Sequence, residues 1–198
     1  MSYTTRALVK TYLGITNTTD DTLLDGLLAS AQVIIDRLTG RHFEASTQTR
    51  YFDSHSLDHD DPFLLLLDDD LLSVTTLLNG DTATTTISSS DYWLWPRNNA
   101  AAALPEPYWG LKMKNGVSTS WQFDTDGMVS VLGSWGWSTA APDDIVQITK
   151  RLTAWLYRQK DAQIFDITAM QDMGVMTLPR AIPKDIMQSL APYKRYAR

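Results

Sequence analysis

The spacing of apolar residues predicts two helices at the start of the chain. Thr4 or Thr5 can cap a short helix that ends at Gly14. Residues 18–21 open a second helix, which Gly40 ends. Its apolar residues recur every three or four positions and form a wide stripe: Leu23, Leu24, Leu27, Leu28, Ala31, Ile34, Ile35 and Leu38. Because the first helix is too short to cover this stripe, we expect other helices or another subunit to cover it.

The middle of the chain has the pattern of short strands separated by turns. The strands are predicted over residues 49–52, 64–67, 73–78, 92–95, 108–113, 119–123 and 128–132. Asn79-Gly80 is a strong hairpin signal because both residues tolerate positive φ, and Asp126-Gly127 predicts a further turn. This series of strands favours a small antiparallel sandwich or barrel.

Helical periodicity returns after Pro142, with one apolar stripe formed by Ile145, Ile148, Leu152, Trp155 and Leu156. Beyond Asp161 the periodicity weakens, and we predict a loop or mobile arm. A last short helix is predicted from Pro183 to Pro192, followed by a basic, aromatic tail. The predicted fold class is α+β. Residues 1–46 and 140–198 form a helical bundle, and residues 47–139 form an inserted antiparallel β-rich subdomain.

Composition removes several classes of protein. The 198 residues include no cysteine, which excludes disulfide scaffolds, zinc–thiolate sites, iron–sulfur clusters and cysteine nucleophiles. The formal net charge of -6 is uneven, because residues 1–144 hold 19 acidic and 8 basic side chains whereas residues 145–198 hold 4 and 9. No apolar run approaches the ~20 residues of a membrane span. The first six residues lack the layout of a signal peptide, so we expect assembly in the cytoplasm.

Two acidic segments contain residue types that can bind metal ions. Residues 53–61 contain two histidines and four aspartates, but they lie in a predicted loop without helical ligand spacing, which favours a solvated acidic loop. Residues 124–127 are similar to the opening of a calcium loop, yet no glutamate closes it, and a hairpin turn is favoured. No motif supports catalysis, so we predict a protein that is not an enzyme and has no cofactor or metal.

Six of the seven tryptophans lie between Trp93 and Trp137. One interpretation is an aromatic platform that stacks on sugars or single-stranded bases. The alternative is that they fill the core and edges of the β region or the contacts between subunits. Base readout needs interleaved basic residues, and the nearby ones are Arg97, Lys112 and Lys114, so we favour the alternative.

Four pieces of the chain resemble, in order and spacing, the head–tail connector (adaptor) proteins of tailed bacteriophages. The pieces are Leu-Val-Lys-Thr-Tyr-Leu-Gly-Ile at residues 8–15 with residues 20–24, residues 31–35 with 39–43, residues 129–137 with 142–145, and residues 182–186 with 190–195. The match covers both ends of the chain and is thin in the middle. The resemblance implies a homo-oligomeric ring of twelve subunits, docked beneath the portal at the DNA-filled vertex of the virion.

The resemblance implies a role for the C-terminal segment, which in this family reaches into the portal. The residues assigned to portal binding on that basis are Ile182, Ile186, Leu190, Tyr193, Lys194, Arg195, Tyr196 and Arg198. A closed ring would also cover the apolar stripes. The residues assigned to the subunit interface are Leu24, Leu28, Ile35, Leu152 and Trp155.

The resulting hypothesis is a structural connector in the neck of a phage virion. Its partners are the portal protein, a tail-side stopper or tail-completion protein, and double-stranded DNA that passes through the lumen without sequence-specific binding. An acidic body would repel phosphate and let the DNA slide. The alternatives are a tail-completion or stopper protein of the neck, and a tryptophan-rich carbohydrate-binding or hydrolase module. The β insertion could widen the ring, contact a neighbour or face outward.

Overall fold

A computed structural model describes residues 2–99, 106–124, 128–159, 167–170, 174–177 and 182–195. The chain divides into two compact units. The helical unit comprises Met1–Arg41 and Ala141–Arg198, and the β unit comprises His42–Ala140. The predicted α+β fold class is confirmed by helices and an antiparallel sheet. No helix among the described residues is long and apolar enough to cross a membrane.

Four helices form the helical unit: α1 (Arg6–Leu13), α2 (Asp21–Thr39), α3 (Asp143–Gln159) and α4 (Lys184–Leu190). The Thr5 side chain accepts a hydrogen bond from the Leu8 amide at 3.3 Å and caps α1. Gly14 and Gly40 end α1 and α2 in the left-handed conformation, with φ of 72° and 67°. The predicted ends of both helices are therefore confirmed. A short 3-10 helix, Ala191–Tyr193, follows α4.

Much of the apolar stripe of α2 is covered within one chain, although Leu23 is exposed. Leu24, Leu28 and Ile35 are buried, and α2 packs against α1, α3 and α4. Leu152 of α3 is also fully buried. A neighbouring subunit is therefore not needed to cover these side chains, and their role as subunit contacts stays a prediction.

Five strands form the β unit: β1 (Ser46–Phe52), β2 (Leu64–Leu78), β3 (Tyr92–Trp95), β4 (Tyr108–Met113) and β5 (Val129–Trp135). They make a single antiparallel sheet in the order β1-β5-β2-β4-β3. The predicted sandwich or barrel is wrong, because the described strands of this unit form one sheet with β1 and β3 at its two edges.

The strands predicted over residues 64–67 and 73–78 are one long strand. Its first half pairs with β4 and its second half with β5, and Leu71 is opposite both Tyr108 and Trp135. The register shifts on both sides of Leu71. Asp69 interrupts the apolar pattern here, and its carboxylate is paired with Arg50 at 2.6 Å. Because the sequence does not show that Asp69 is paired with Arg50, its pattern predicted two short strands where the structure has one.

The core of the β unit lies on one face of the sheet. Trp135 is fully buried there, stacks on Phe52 at 6.0 Å between ring centroids, and donates its indole N–H to the Gln48 carbonyl at 3.1 Å. Leu65, Leu111 and other aliphatic residues complete the cluster. Trp135 thus satisfies its one polar group while it fills the centre of the unit.

The first and last segments of the β unit are bonded to each other. The Trp137 amide donates to the His42 carbonyl and the Ala45 amide to the Ser138 carbonyl, both at 2.8 Å. Gly136 has φ 144°, and a Cβ there would lie 2.7 Å from the Ala45 Cα. This close approach requires glycine, and it holds together the two places where the chain crosses between the units.

One loop prediction is confirmed and one is wrong. The hairpin predicted at Asn79-Gly80 forms, because Leu78 pairs antiparallel with Thr86 and the Asn79 amide donates to the Thr85 carbonyl at 2.8 Å across a turn longer than two residues. Residues 119–123 are not a strand. They are held by the Asn79 side chain, which donates to the Ser120 carbonyl and accepts from the Gln122 amide, each at 2.9 Å.

The segment beyond Asp161 contains two further strands, β6 (Ile167–Met170) and β7 (Gly174–Thr177). They pair antiparallel, with Ile167 opposite Thr177. The predicted loop is therefore wrong for these residues, and the alternative of a mobile arm stays a prediction.

Candidate functional site

The C-terminal segment (residues 182–195) packs on the helical unit. Ile186 and Leu190 are buried, and α4 contacts both α2 and α3. Ile182 is half-buried. The apolar positions that were assigned to portal binding therefore belong largely to the chain's own core.

Backbone and side-chain hydrogen bonds fix the end of this segment. Arg41 Nε donates to the Tyr193 carbonyl, and the Arg195 amide donates to the Thr39 carbonyl, both at 2.7 Å. The Tyr193 hydroxyl donates to Asp144. Burial, together with this bond to a carboxylate, raises the pKa of Tyr193 well above its ordinary value.

This segment leaves both basic and apolar side chains exposed. Lys184, Met187 and Lys194 are exposed, whereas the portal-binding residues Tyr196 and Arg198 lie outside the described residues. In the sequence, Met187 belongs to the same group of apolar residues as Ile186 and Leu190. The structure separates them, so Met187 is the large apolar side chain of α4 that can reach a partner.

Exposed apolar side chains on α1 and α2 provide a second candidate surface. Leu8 and Tyr12 are 46% and 49% exposed and stand one turn apart on α1. Leu23 and Val33 are exposed on α2. Of the residues assigned to the subunit interface, Trp155 alone is partly exposed. The spacing of Leu8 and Tyr12 in the sequence was the available signal for this surface.

The aspartates of residues 53–61 shape a loop. The Asp58 carboxylate accepts from the amides of Asp60 and Asp61 at 3.0 and 2.9 Å, and Asp53 accepts from the His55 amide at 2.9 Å. Asp61 pairs with Lys112 at 2.5 Å, and this hydrogen bond holds the pKa of Asp61 below its usual value. Within the described ranges, no three His, Asp or Glu side chains are grouped to hold a metal ion.

Asp124 also stabilises a loop. Its carboxylate accepts from the Thr82 amide at 2.6 Å and from the Thr82 hydroxyl at 2.8 Å. The hairpin turn predicted at Asp126-Gly127 lies outside the described residues. The Asp124 carboxylate, which suggested a calcium loop, therefore joins the turn at residues 80–82 to the chain at residue 124.

Cations lie over the two tryptophans of β3, of which Trp93 is exposed and Trp95 is half-buried. The Arg97 guanidinium lies 3.8 Å and the Lys114 ammonium 3.9 Å from the centroid of Trp93, which is 37% exposed. Lys112 lies 5.3 Å from the centroid of Trp95. We call these five side chains the cationic edge. A sugar or base needs an open ring face for stacking, and on Trp93 that face is occupied.

The cationic edge stands out in an acidic unit. Residues 42–140 hold 13 acidic and 4 basic side chains, a net charge of -9. Three of those four cations belong to the edge, and the fourth, Arg50, is paired with Asp68 and Asp69. In the sequence these three cations are too few and too scattered to predict binding. They come together because β3 pairs with β4, and the sequence does not show that pairing.

Three solved structures with a similar fold are chains of gene transfer agent particles. A chain in the neck of an empty gene transfer agent (GTA) particle, computed with C6 symmetry, is similar with a TM-score of 0.61 and 14% identity, over 97% of this chain and 89% of that one. The present chain has the fold of a GTA neck protein. The resemblance to head–tail connectors is thereby confirmed for the fold.

Two other structures agree. The neck of the native GTA particle, computed with C12 symmetry, contains a chain with a TM-score of 0.56 and 15% identity, over 89% of this chain and 84% of that one. A chain in the virion of the native GTA particle is similar with a TM-score of 0.58 and 14% identity, over 91% of this chain and 80% of that one. No protein-family model and no curated protein matches the sequence. The fold is thus shared with neck and virion chains that are only 14–15% identical to this one.

Proposed function

We propose that this protein is a structural subunit of the neck of a phage-like particle, where it forms a ring that docks on the portal. The observation that carries the proposal is the likeness to a GTA neck chain over 97% of the sequence, including both units. The role is one of assembly: the protein closes a ring, binds the portal with one surface and offers another to the tail side.

A ring requires a heterologous interface, in which two different surfaces of the same chain meet. The exposed Leu8 and Tyr12 of α1 and Leu23 and Val33 of α2 supply an apolar surface for one side of that contact. The C6 and C12 symmetry of the similar neck structures supports six or twelve copies. The partly exposed Trp155 remains a candidate for the other side.

Portal binding is proposed for the exposed part of the C-terminal segment and the residues that follow it. Ile186 and Leu190 seat α4 on the helical unit, and this fixes the direction in which Lys184, Met187 and Lys194 face. The buried residues therefore act as supports. The basic and apolar residues around them make the contact.

Restraint of DNA is proposed for the β unit. A net charge of -9 over residues 42–140 would repel phosphate, so duplex DNA could move through a lumen lined by this unit without binding. A ring with a basic lumen would contradict this part of the proposal.

Electron microscopy of the purified protein, alone and mixed with portal rings, tests the whole assignment. We expect closed rings, and rings stacked on the portal. Changing Met187→Glu and Lys194→Glu together should abolish portal binding and leave the rings intact. Arg158→Glu, at an exposed position on α3, is the matched control and should bind normally.

The ring contact is tested separately with Leu8→Asp and Tyr12→Asp, which should yield folded monomers. Truncation after Asp161 is a poor test because it removes Ile186 and Leu190 from the core. A native protein that stays monomeric with and without portal would refute the neck assignment. Normal portal binding by the Met187 and Lys194 double variant would refute the proposed contact alone.

A further inference from the structure

The outer side of β3 is an unused strand edge next to the cationic edge. β3 is the last strand in the sheet order, and β4 pairs with one side of it, from Tyr92 opposite Met113 to Trp95 opposite Gly110. Within the described part of the chain, no strand pairs with its other side. Four residues of β3 span about 13 Å and offer backbone N–H and C=O groups along that length.

Arg97 has donors available at this edge. Its guanidinium lies on the Trp93 ring, and among the described residues it makes no hydrogen bond or ion pair. The ring holds the cation in place without using its N–H groups. A guanidinium fixed in this way is suited to a carboxylate, which it can bind through two parallel hydrogen bonds.

The other two cations differ in how far they are already satisfied. Lys114 donates to the Ser90 carbonyl and keeps further N–H groups. Lys112 is paired with Asp61. The nearby Asp91 carboxylate accepts from the hydroxyls of Ser90 and Thr119. Arg97 and Lys114 are therefore the pair that can receive a new anion.

We propose that the cationic edge binds an extended acidic segment of another protein chain, which adds to β3 as a further strand. Successive side chains of an added strand alternate between faces, so every second residue lies on the face of Trp93 and Trp95. Carboxylates at those positions would meet Arg97 and Lys114. This site does not depend on ring formation or on the portal, and it goes beyond the neck function proposed above.

A peptide fits this surface better than a nucleic acid. The β3 edge supplies main-chain hydrogen-bond partners that a peptide strand matches and a phosphodiester backbone does not. The Trp93 ring face is covered by cations, so a base cannot stack there. A longer polyanion would also extend over a unit with net charge -9, whereas a short acidic strand stays within the positive patch.

Fluorescence anisotropy with a labelled, end-capped peptide of alternating aspartate and valine tests the proposal on the full chain. We expect binding at low salt, and a loss of about tenfold or more when asparagine replaces aspartate in the peptide. Arg97→Gln with Lys114→Gln should cause a similar loss. Arg158→Gln removes an exposed charge elsewhere and should change nothing. Circular dichroism of the double variant checks that it is folded.

Two further probes separate the occupants. A peptide N-methylated at alternate residues cannot pair as a strand and should bind at least about tenfold more weakly. Oligothymidylate should bind more weakly than the acidic peptide. The proposal is overturned if the acidic peptide fails to bind, if the double variant or the N-methylated peptide binds normally, or if oligothymidylate binds more tightly.

Discussion

The helical unit and the β unit are held together over very different distances along the chain. In the helical unit, the Tyr157 hydroxyl donates to Asp20 at 2.6 Å and the Arg195 amide donates to Thr39, so its hydrogen bonds join the two ends of the sequence. The β unit uses one continuous segment, His42–Ala140, around its own core. The contrast shows that the described C-terminal residues, 182–195, are structural parts of the helical unit, whereas the core cluster of the β unit is drawn from its own segment.

The largest expected effect comes from emptying one core at a time. Trp135→Ala should destabilise the β unit by about 3–5 kcal/mol, because it removes the central ring and its bond to Gln48. Leu152→Ala should destabilise the helical unit by about 2–5 kcal/mol. Denaturant unfolding, followed by hydrogen exchange of each unit, measures both effects. Equal loss of protection in both units for either substitution would contradict the picture of two separate cores.

A smaller effect is expected where the first and last segments of the β unit meet. Gly136→Ala places a Cβ against the Ala45 backbone and should cost about 1–3 kcal/mol. Gly116→Ala is the matched control, since Gly116 also has positive φ, 83°, but has open space around its Cα. Thermal unfolding of both variants compares them. If both lose the same stability, the close approach at Gly136 is unimportant and strain alone explains the cost.

The next prediction concerns the attachment of the C-terminal segment. Tyr193→Phe removes the hydroxyl that donates to Asp144 and should cost about 1 kcal/mol. Because the folded pKa of Tyr193 is raised above 10.0, the native protein should keep this stabilisation below that pH and lose it as pH rises further. Chemical denaturation from pH 7 to 11 should therefore show a shallower decline for the variant. Tyr12→Phe, at an exposed position, should follow the native curve.

The smallest expected effect concerns the loop next to the cationic edge. Asp61→Asn breaks the pair with Lys112 and should cost about 0.2–1 kcal/mol at pH 7. The pKa of Asp61 is lowered from 3.8, so its contribution is present above that pH and disappears as pH falls through the folded pKa. The native and variant proteins should therefore converge in acid and in high salt. A difference that persists under both conditions would show that the pair is not the cause.

Helix ends could be predicted because their causes are local. Thr5 caps α1 through a neighbour three residues away, and Gly14 and Gly40 end their helices by their own φ angles. The extent of β2 could not be predicted, because the pairing of Asp69 with Arg50, which lies 19 residues earlier, is not visible in the sequence. Sheet order was equally hidden, since it depends on pairings between distant segments.

The candidate surfaces divide in the same way. Periodicity identified Ile186 and Leu190 as an apolar face, but it could not say that α2 and α3 of the same chain cover that face. Arg97 and Lys114 are 17 positions apart in the sequence, and they meet on Trp93 only because β3 and β4 pair. The composition gives the number of these charges but not their positions in the folded protein.

The bonded segments at His42–Ala45 and Gly136–Ser138 also affect the order in which the chain folds. To bring α2 and α3 together in an unfolded chain, a loop of about 100 residues must close, at an entropic cost of about 4 kcal/mol. Once the β unit has formed, its two ends already lie side by side. The contacts within the sheet have then offset most of the entropy lost on closing the loop. We therefore expect the insertion to fold first and to act as the template on which the two halves of the helical unit join.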